Sequence, residues 1–146
     1  GEEKTSSVPR TGYLNELKQL TKQLNLEKKV TFVGKKTQPE LKTLYQLADI
    51  FVYPSLYENF GQPLLEAAAH GLPLISTSVG IARDIIIEGE TGYQISGKPE
   101  EIKERIESLR DSNLRLQMGQ RIQNEVKNRF DWGNIMDQYM NLYRSL

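Results

Sequence analysis

The chain has 146 residues, in which 19 lysine and arginine side chains balance 19 aspartate and glutamate side chains. This length allows one domain with a hydrophobic core, and the balanced charge disfavours nucleic acid or an anionic membrane as a partner. Cysteine is absent, which excludes disulfide bonds and thiolate metal sites and fits a reducing compartment. No apolar run approaches the roughly 20 residues of a membrane-spanning helix, and the polar residues 1–12 have no signal-peptide core and predict a loop.

The first third of the chain predicts two helices and two strands. Leucines at helical spacing predict a helix from about Thr11 to Asn25. The β-branched and aromatic segment Lys29–Lys35 predicts a short strand. A proline near its start and apolar residues on one face predict a helix over residues 38–48. The near-continuous apolar run at residues 49–55 ends at Pro54 and is typical of a strand buried on both faces.

Helices and short apolar strands continue to alternate along the rest of the chain. The predicted elements are a helix at Gln62–Ala69, a strand at 73–78, a short helix at 81–89, a strand at 91–96, and helices at 98–111, Ser112–Asn128 and Trp132–Arg144. This order implies right-handed crossovers and an α/β fold: a Rossmann-like parallel sheet with helices on both faces. We expect residues 1–146 to form a single domain.

Two glutamates, Glu58 and Glu66, are the only charged residues between Asp49 and Arg83. Ligands of parallel sheets bind beyond the carboxyl ends of the strands, where helices begin. Glu58 lies in such a loop, and Glu66 lies about one turn into the following helix. Carboxylates accept hydrogen bonds from vicinal hydroxyls, so the pair could hold a polyhydroxyl ligand. The helix dipole explains Glu66 equally well without any ligand.

The start of this helix also has the features of an anion site. Gly61 allows close approach of a ligand to the backbone, and the first turn of a helix has free amide groups at the positive end of its dipole. Because Pro63 has no amide hydrogen, the candidate donors are the amides of Gly61, Gln62, Leu64 and Leu65. An anion site between two carboxylates suits a nucleotide sugar, which has a diphosphate between two sugars.

The ordered pieces Pro54-Ser55, Glu58-Asn59-Phe60-Gly61, Glu66-Ala67 and Gly71-Leu72-Pro73 form a longer pattern around the two glutamates. This pattern resembles the E-x7-E signature of retaining glycosyltransferases with the GT-B fold. That family includes glycogen synthases, sucrose synthases and bacterial mannosyl- and glucosyltransferases. Residues 30–35, 44–55, 88–95 and 130–132 resemble the family in the same order. The resemblance therefore covers nearly the whole chain from about Tyr13.

The resemblance implies a retaining hexosyltransferase that moves a sugar from a nucleotide-diphosphate sugar to a carbohydrate or lipid-linked acceptor. Glu58 would be the catalytic residue that faces the donor sugar, and Glu66 would hold the two ribose hydroxyls. The other donor-binding positions implied are Asn59, Phe60, Gly61, Gln62 and Leu64, with Lys35 and Lys36 beside the nucleobase. The resemblance implies no cofactor and no obligatory metal.

The resemblance also implies that the chain is a fragment of a two-domain enzyme. It matches only the C-terminal, donor-binding domain and begins after that domain's first two strands. The family's phosphate-binding arginine and lysine belong to the absent region, and residues 50–82 contain no positive side chain. We therefore expect the fragment alone to be inactive and to need the N-terminal domain of the same enzyme. A cytoplasmic location is expected, or a peripheral membrane location through that domain.

Two alternatives to the enzyme remain. One is a non-catalytic nucleotide-sugar-binding module on the same fold, and the other, less favoured, is a GT-B epimerase. The segment 78–86 departs from the family pattern, with Ile81 in place of a second glycine and Asp84 in place of a glutamate. An ordinary turn between a strand and a helix explains both residues. The single histidine, His70, is predicted to be solvated or to complement the dipole at a helix end.

Overall fold

The computed structural model of the chain describes residues 10–145. Of these, residues 10–37 belong to one compact unit and residues 38–145 to a second; a single domain over residues 1–146 stays a prediction. Of the predicted N-terminal loop, residues 1–9 lie outside the described part. Residues 10–12 are already helical, which confirms the helix predicted from about Thr11 and makes the loop prediction wrong for residues 10–12. None of the helices described between residues 10 and 145 is long and apolar enough to cross a membrane.

The first unit contains the helix α1 (Arg10–Gln23), which ends close to its predicted boundary. Asn25 takes the left-handed conformation, with φ 54°. Its amide and that of Leu26 then donate to the carbonyls of Lys22 and Thr21, at 3.0 and 2.9 Å. Asparagine tolerates this conformation better than most residues. The sequence "LNL" thus closes the helix without a glycine.

The strand predicted over Lys29–Lys35 is wrong. The amide of Val30 donates to the carbonyl of Leu26 at 2.9 Å in a turn, and residues 31–36 belong to no strand. A β-branched segment becomes a strand only where a neighbouring strand supplies ladder hydrogen bonds. No strand within residues 10–145 pairs with the segment Lys29–Lys35, and the side chains of Phe32 and Val33 are exposed.

The second unit alternates helices and strands in the predicted order. Its elements are α2 (Gln38–Leu47), β1 (Phe51–Tyr53), α3 (Gln62–Ala69), β2 (Leu74–Thr77), α4 (Ala82–Ile85), β3 (Gly92–Ile95), α5 (Pro99–Ser108), α6 (Ser112–Phe130) and α7 (Trp132–Arg144). The strands form a parallel sheet in the order β1-β2-β3. Phe51 pairs with Leu74, which in turn pairs with Gly92. The parallel sheet is confirmed, with three described strands where four were predicted.

Helices cover both faces of the sheet, as predicted, and β2 is its buried centre. On one face Leu74 joins a core cluster with side chains of α3, α4 and α6. On the other face Ile75 joins a cluster with side chains of β3 and α6 and with Leu109 at the end of α5. Each fully buried leucine or isoleucine contributes about 1.5–3 kcal/mol of transfer free energy. The sheet is therefore fixed through its central strand.

The strand predicted within residues 49–55 is confirmed as β1, but the prediction that it is buried on both faces is wrong. All three residues of β1 are only half-buried. Within the described sheet β1 pairs with β2 alone and so has a neighbour on one side only. The apolar run is typical of a central strand, but in the described chain it is β2 that is buried throughout.

The backbone of α6 packs directly against the backbone of the turn between α3 and β2. A Cβ atom on Gly119 would lie 2.1 Å from the carbonyl oxygen of Gly71. The side-chain amide of Gln123, one turn further along, donates to the carbonyl of Ala69 at 2.8 Å. Close packing of α6 therefore fixes the C-terminal end of α3.

The last helix begins after an aspartate cap. The carboxylate of Asp131 accepts a hydrogen bond from the amide of Gly133 at 2.8 Å, which satisfies one of the free donors of the first turn. The apolar side chains Met136, Tyr139 and Leu142 of α7 are exposed. In the described chain each of these residues is more than half exposed.

Gly119→Ala is expected to lower the free energy of unfolding by about 1–3 kcal/mol, because the added methyl group would overlap backbone that has no room to move. Gly12→Ala in α1 is the matched control, since nothing lies within 4 Å of a Cβ atom there. Alanine is favoured over glycine inside a helix, so the control should show no loss. Urea denaturation followed by circular dichroism measures both changes. Equal stability of the two variants would contradict the close approach.

Candidate functional site

The loops that follow β1 and β2 are joined at the carboxyl edge of the sheet. The hydroxyl of Ser76 donates to the carbonyl of Tyr53 at 3.1 Å, and the hydroxyl of Thr77 donates to the carbonyl of Ser55. Both donors are buried. The loop after β1 therefore leaves the sheet in a fixed direction.

A backbone contact joins the same two loops further out. The amide of Ile81 donates to the carbonyl of Phe60 at 2.7 Å. The preceding residue, Gly80, has φ 47°, and a Cβ atom there would lie 2.4 Å from the Phe60 carbonyl oxygen. Only glycine fits this position without displacing the backbone of Phe60. Phe60 and the residue after it, Gly61, are thereby held in place.

Gly61 begins α3 in the left-handed conformation, with φ 82°, as the prediction of a glycine-led helix start requires. Pro63 lies in the first turn and has no amide hydrogen. The amide of Leu64 donates to the carbonyl of Gly61 at 2.9 Å, and its side chain is fully buried. Because this amide already has a partner, Gly61, Gln62 and Leu65 remain as the sequence-predicted amide donors.

Glu58 is half-buried in the loop after β1. Its carboxylate oxygen Oε1 accepts a hydrogen bond from the phenol of Tyr53, the last residue of β1. The side-chain oxygen of Asn59 accepts one from the phenol of Tyr57 at 2.9 Å. Glu58 is therefore oriented by the sheet, whereas Asn59 is held only within its own exposed loop.

A depression of about 540 Å³ opens beside Glu58, within the size range of small-molecule sites. One wall is the loop from Leu56 to Phe60, and the other is the turn Val79–Ile81 with Arg83 and Asp84. The residues of the backbone contact between the two loops, Phe60 and Ile81, thus both line this depression.

Glu66 lies one turn into α3 and is also half-buried. Its Oε2 accepts a hydrogen bond from the phenol of Tyr45 at 3.1 Å, and its Oε1 accepts one from the side-chain amide of Gln62 at 3.2 Å. A carboxylate has about four acceptor positions. Glu66 therefore keeps acceptor capacity for two ligand hydroxyls while two protein groups fix its rotamer.

Burial and the neighbouring carboxylates change the acidity of both tyrosines. Desolvation, followed by the hydrogen bond to Glu66 and its charge, raises the pKa of Tyr45 to about 12. Desolvation and the contact with Glu58 likewise raise the pKa of Tyr53 to about 12. Since both values lie above the ordinary 10.0, the stability contributed by the neutral phenols is fully present below pH 10 and is lost as the pH rises toward 12. Both phenols remain hydrogen-bond donors at neutral pH.

An aromatic row links the two tyrosines. The ring of Phe51 packs edge-on against Tyr45 and is stacked on Tyr53, with centroids 5.9 Å apart in each pair. The ring of His70 stacks on Tyr45, with ring centroids 5.2 Å apart. Its Nδ1 lies 2.8 Å from the backbone carbonyl of Glu66. His70 is thus a half-buried residue at the end of α3, and its contact with Glu66 is to the backbone.

The remaining residues predicted to bind the donor lie in the first unit. Lys35 is exposed and Lys36 is half-buried, and both precede α2. Their contact with a nucleobase stays a prediction. The structure does bring together the predicted residues from Glu58 to Glu66, all of which lie between the end of β1 and the first turns of α3.

The sequence reasoning missed three residues of this site. Tyr45 was assigned only to the apolar face of α2 and Tyr53 only to a buried strand, yet each donates to one of the two glutamates. Arg83, which directly follows the segment 50–82 that lacks lysine and arginine, lines the Glu58 depression. One detectable signal was that Arg83 is the only lysine or arginine between Lys42 and Lys98.

The two departures from the family pattern have distinct places. Ile81 is buried and supplies the amide that binds Phe60. Asp84 is exposed and lines the Glu58 depression, and its backbone carbonyl accepts a hydrogen bond from Arg129 at 2.6 Å. The segment therefore forms a turn between a strand and a helix, and that turn is also a wall of the site.

Comparison with known proteins gives a family match. The sequence profile of the family described as "Glycosyl transferases group 1" matches residues 10–125. The N-acetyl-alpha-D-glucosaminyl L-malate synthase of Bacillus anthracis is 35% identical over 127 residues, which are 86% of this chain and 33% of that protein. The chain thus spans about a third of the length of the curated relatives it matches.

Solved structures show the same similarity. Sucrose-phosphate synthase from Thermosynechococcus elongatus is 31% identical with a TM-score of 0.79, covering 92% of this chain and 34% of that one. Anabaena Alr3699/HepE in complex with UDP is 26% identical with a TM-score of 0.83, covering 93% of this chain and 38% of that one. The Anabaena protein has also been solved in complex with UDP-glucose.

Glu66→Gln is expected to lower the pKa of Tyr45 from about 12 toward 10, because the ionised phenol would no longer face a negative charge. The fall should be partial, since burial, the largest cause, remains. The pKa of Tyr53 should stay near 12. Glu58→Gln is the matched control and should reverse the pattern. Carbon-detected NMR titration of the tyrosine Cζ resonances measures both groups. Unchanged titration of Tyr45 in Glu66→Gln would contradict the pairing.

Proposed function

Because the chain belongs to the glycosyl transferases group 1 family, we propose that it forms the nucleotide-sugar-binding part of a retaining hexosyltransferase with the GT-B fold. The observation that carries this proposal is the pair Glu58 and Glu66 at the carboxyl edge of the sheet, each bound by a tyrosine phenol. Two oriented carboxylates before and after a glycine-led helix start fit a ligand with two sugars joined by a diphosphate.

Glu58 would accept hydrogen bonds from the hydroxyls of the transferred sugar. The depression beside it has room for a hexose and is walled by the backbone of Asn59 and Phe60 and by the turn at Gly80. The phenol of Tyr53 would hold the carboxylate toward the ligand. Glu58 would then stabilise the positive charge that develops on the sugar in the transition state.

Glu66 would hold the two ribose hydroxyls of the nucleotide. Tyr45 and Gln62 each occupy one acceptor position on a different oxygen of its carboxylate, which leaves one position on each oxygen. Vicinal hydroxyls offer two donors at matching spacing. In this arrangement Tyr45 and Gln62 position the group that contacts the ribose.

The diphosphate would lie between these positions, at the start of α3. The positive end of the helix dipole and the amides of Gly61, Gln62 and Leu65 favour a negative group there. In the transfer step the bond from the anomeric carbon to the diphosphate oxygen breaks, and the diphosphate leaves with the electron pair. The acceptor oxygen bonds to the same face of that carbon, and its proton passes to the departing diphosphate. No metal takes part in this scheme.

The donor and the acceptor are further parts of the proposal. The Anabaena structure contains UDP-glucose, so a UDP-hexose is the first donor to test. A carbohydrate or lipid-linked acceptor would approach from an N-terminal domain of the GT-B fold. Since the chain spans about a third of its curated relatives, activity is proposed for the natural full-length protein.

A non-catalytic nucleotide-sugar-binding module is the second candidate. The observation that favours it is the scarcity of positive charge in the segment that contains both glutamates and the start of α3. Arg83 is the only lysine or arginine between Lys42 and Lys98. A module needs only to bind the donor, whereas an enzyme must also stabilise the departing diphosphate.

Glu58→Ala and Glu66→Ala are expected to separate sugar binding from ribose binding in the natural full-length protein. Loss of hydrogen bonds to a charged group costs about 1.5–3 kcal/mol, so Glu66→Ala should weaken both UDP and UDP-glucose by roughly 10- to 100-fold. Glu58→Ala should weaken UDP-glucose and leave UDP unchanged. Isothermal titration calorimetry measures all four affinities.

The matched control for this experiment is Glu90→Ala, an exposed glutamate outside the depression. A UDP analogue without the 2′- and 3′-hydroxyls should bind wild-type protein weakly and should be insensitive to Glu66→Ala. If Glu66→Ala leaves the affinity for UDP unchanged, the ribose assignment fails.

Transfer from UDP-α-glucose is expected to give an α-linked product, because the proposed attack occurs on the face from which the diphosphate departs. The anomeric proton coupling of the product, read by NMR at early reaction times, reports the configuration. A β-linked product would refute retention. Tight donor binding without transfer to any carbohydrate or lipid-linked acceptor would favour the binding module.

A further inference from the structure

Arg83 is the one basic side chain on the acidic central part of the chain. Between Lys42 and Lys98 the sequence has six acidic residues, namely Asp49, Glu58, Glu66, Asp84, Glu88 and Glu90, and no other lysine or arginine. The structure places Arg83 on the wall of the Glu58 depression. A lone cation beside a carboxylate site has an electrostatic effect that no other side chain in this segment can supply.

The guanidinium of Arg83 is oriented without being neutralised. Its Nε donates to the carbonyl of Ser78 at 2.8 Å, in the turn that follows β2. No carboxylate within residues 10–145 lies at ion-pair distance from it, although Asp84 is the next residue. Arginine has five N–H donors in a planar fork. Four of them, on Nη1 and Nη2, have no partner in the described chain.

The backbone also fixes Arg83 relative to Glu58. Arg83 lies in α4, two residues after Ile81, whose amide binds the Phe60 carbonyl. Phe60 itself precedes the glycine that begins α3. The backbone that leads into Arg83 is therefore joined, through Ile81, to the loop that contains Glu58 and precedes α3.

We propose that Arg83 binds the diphosphate of the donor through Nη1 and Nη2, from the side of the Glu58 depression. The proposal rests on the proposed function and adds an arginine fork to the backbone amides at the start of α3. An arginine fork matches two phosphate oxygens. Arg83 would thereby stabilise the leaving group as its negative charge grows.

The charges around the depression favour a diphosphate over a carboxylate on the transferred sugar. An acidic sugar seated against Glu58 would bring two negative groups together, with Asp84 as a third on the same wall. A diphosphate lies one bond beyond the sugar, toward Gly61 and the dipole of α3. Arg83 can meet it there while the neutral hydroxyls of the sugar remain with Glu58.

The test is a titration of the natural full-length protein and its Arg83→Gln variant with UDP, UDP-glucose and UDP-glucuronic acid. Loss of a hydrogen-bonded charge at an exposed position should weaken all three ligands by about tenfold. Uridine, which has no phosphate, should bind equally to both proteins. Arg121→Gln, an exposed arginine on α6, is the matched control and should change nothing. Arg83→Lys should recover part of the affinity, since charge returns without the fork.

Three outcomes overturn the proposal. If Arg83→Gln binds UDP and UDP-glucose as tightly as wild-type protein, Arg83 does not contact the diphosphate, and the proposed function stands without it. If only UDP-glucuronic acid is weakened, the partner of Arg83 is a sugar carboxylate. If wild-type protein binds none of the nucleotides, including GDP- and ADP-sugars, the proposed function fails and this inference fails with it.

Discussion

One backbone hydrogen bond, from the amide of Ile81 to the carbonyl of Phe60, determines the geometry of the candidate site. It forms because Gly80 has no side chain and can pass directly over the Phe60 carbonyl. The contact joins the loop that contains Glu58, the glycine that begins α3 and the turn that leads to Arg83. The buried hydroxyls of Ser76 and Thr77 strengthen the same junction closer to the sheet.

The position of this junction follows from the parallel sheet. Parallel strands end at the same edge, so the loops after β1 and β2 are neighbours even though about 20 residues separate them in the chain. β2 is buried on both faces and carries the two core clusters. α6 packs against Gly71, just beyond the C-terminal end of α3. The site is thus built on loops, but the loops are held at both ends by close-packed backbone.

The sequence was informative where local rules decide the outcome. The bounds of α3 and α7 coincide with their predicted bounds because a proline or an aspartate cap defines each start. The segment Lys29–Lys35 has strand composition but lacks a partner strand in the described chain, and composition alone cannot supply ladder hydrogen bonds. Half-burial of β1 has the same cause: a strand's burial depends on its neighbours, which the apolar run does not specify.

The site shows the same division between local and tertiary information. The loop position of Glu58 and the helical position of Glu66 could be read from spacing. Their partners could not, because Tyr45 lies on a different helix and reaches Glu66 across 21 residues of sequence. The position of Arg83 beside the Glu58 depression likewise depends on the turn after β2. Residues that act through a neighbouring loop leave no periodic signal.

The aromatic row gives the two carboxylates a fixed relation. The rings of Tyr45, Phe51 and Tyr53 pack against one another. The phenol of Tyr45 donates a hydrogen bond to Glu66, and the phenol of Tyr53 donates one to Glu58. Each aromatic side chain has only two rotatable bonds, so the packed rings hold the phenols in place at a low cost in conformational entropy. A flexible pair of glutamates would have to be ordered by the ligand, at a cost in binding free energy. Here the fold has already ordered them, so that cost is reduced for a ligand whose two hydroxyl-bearing groups match their spacing.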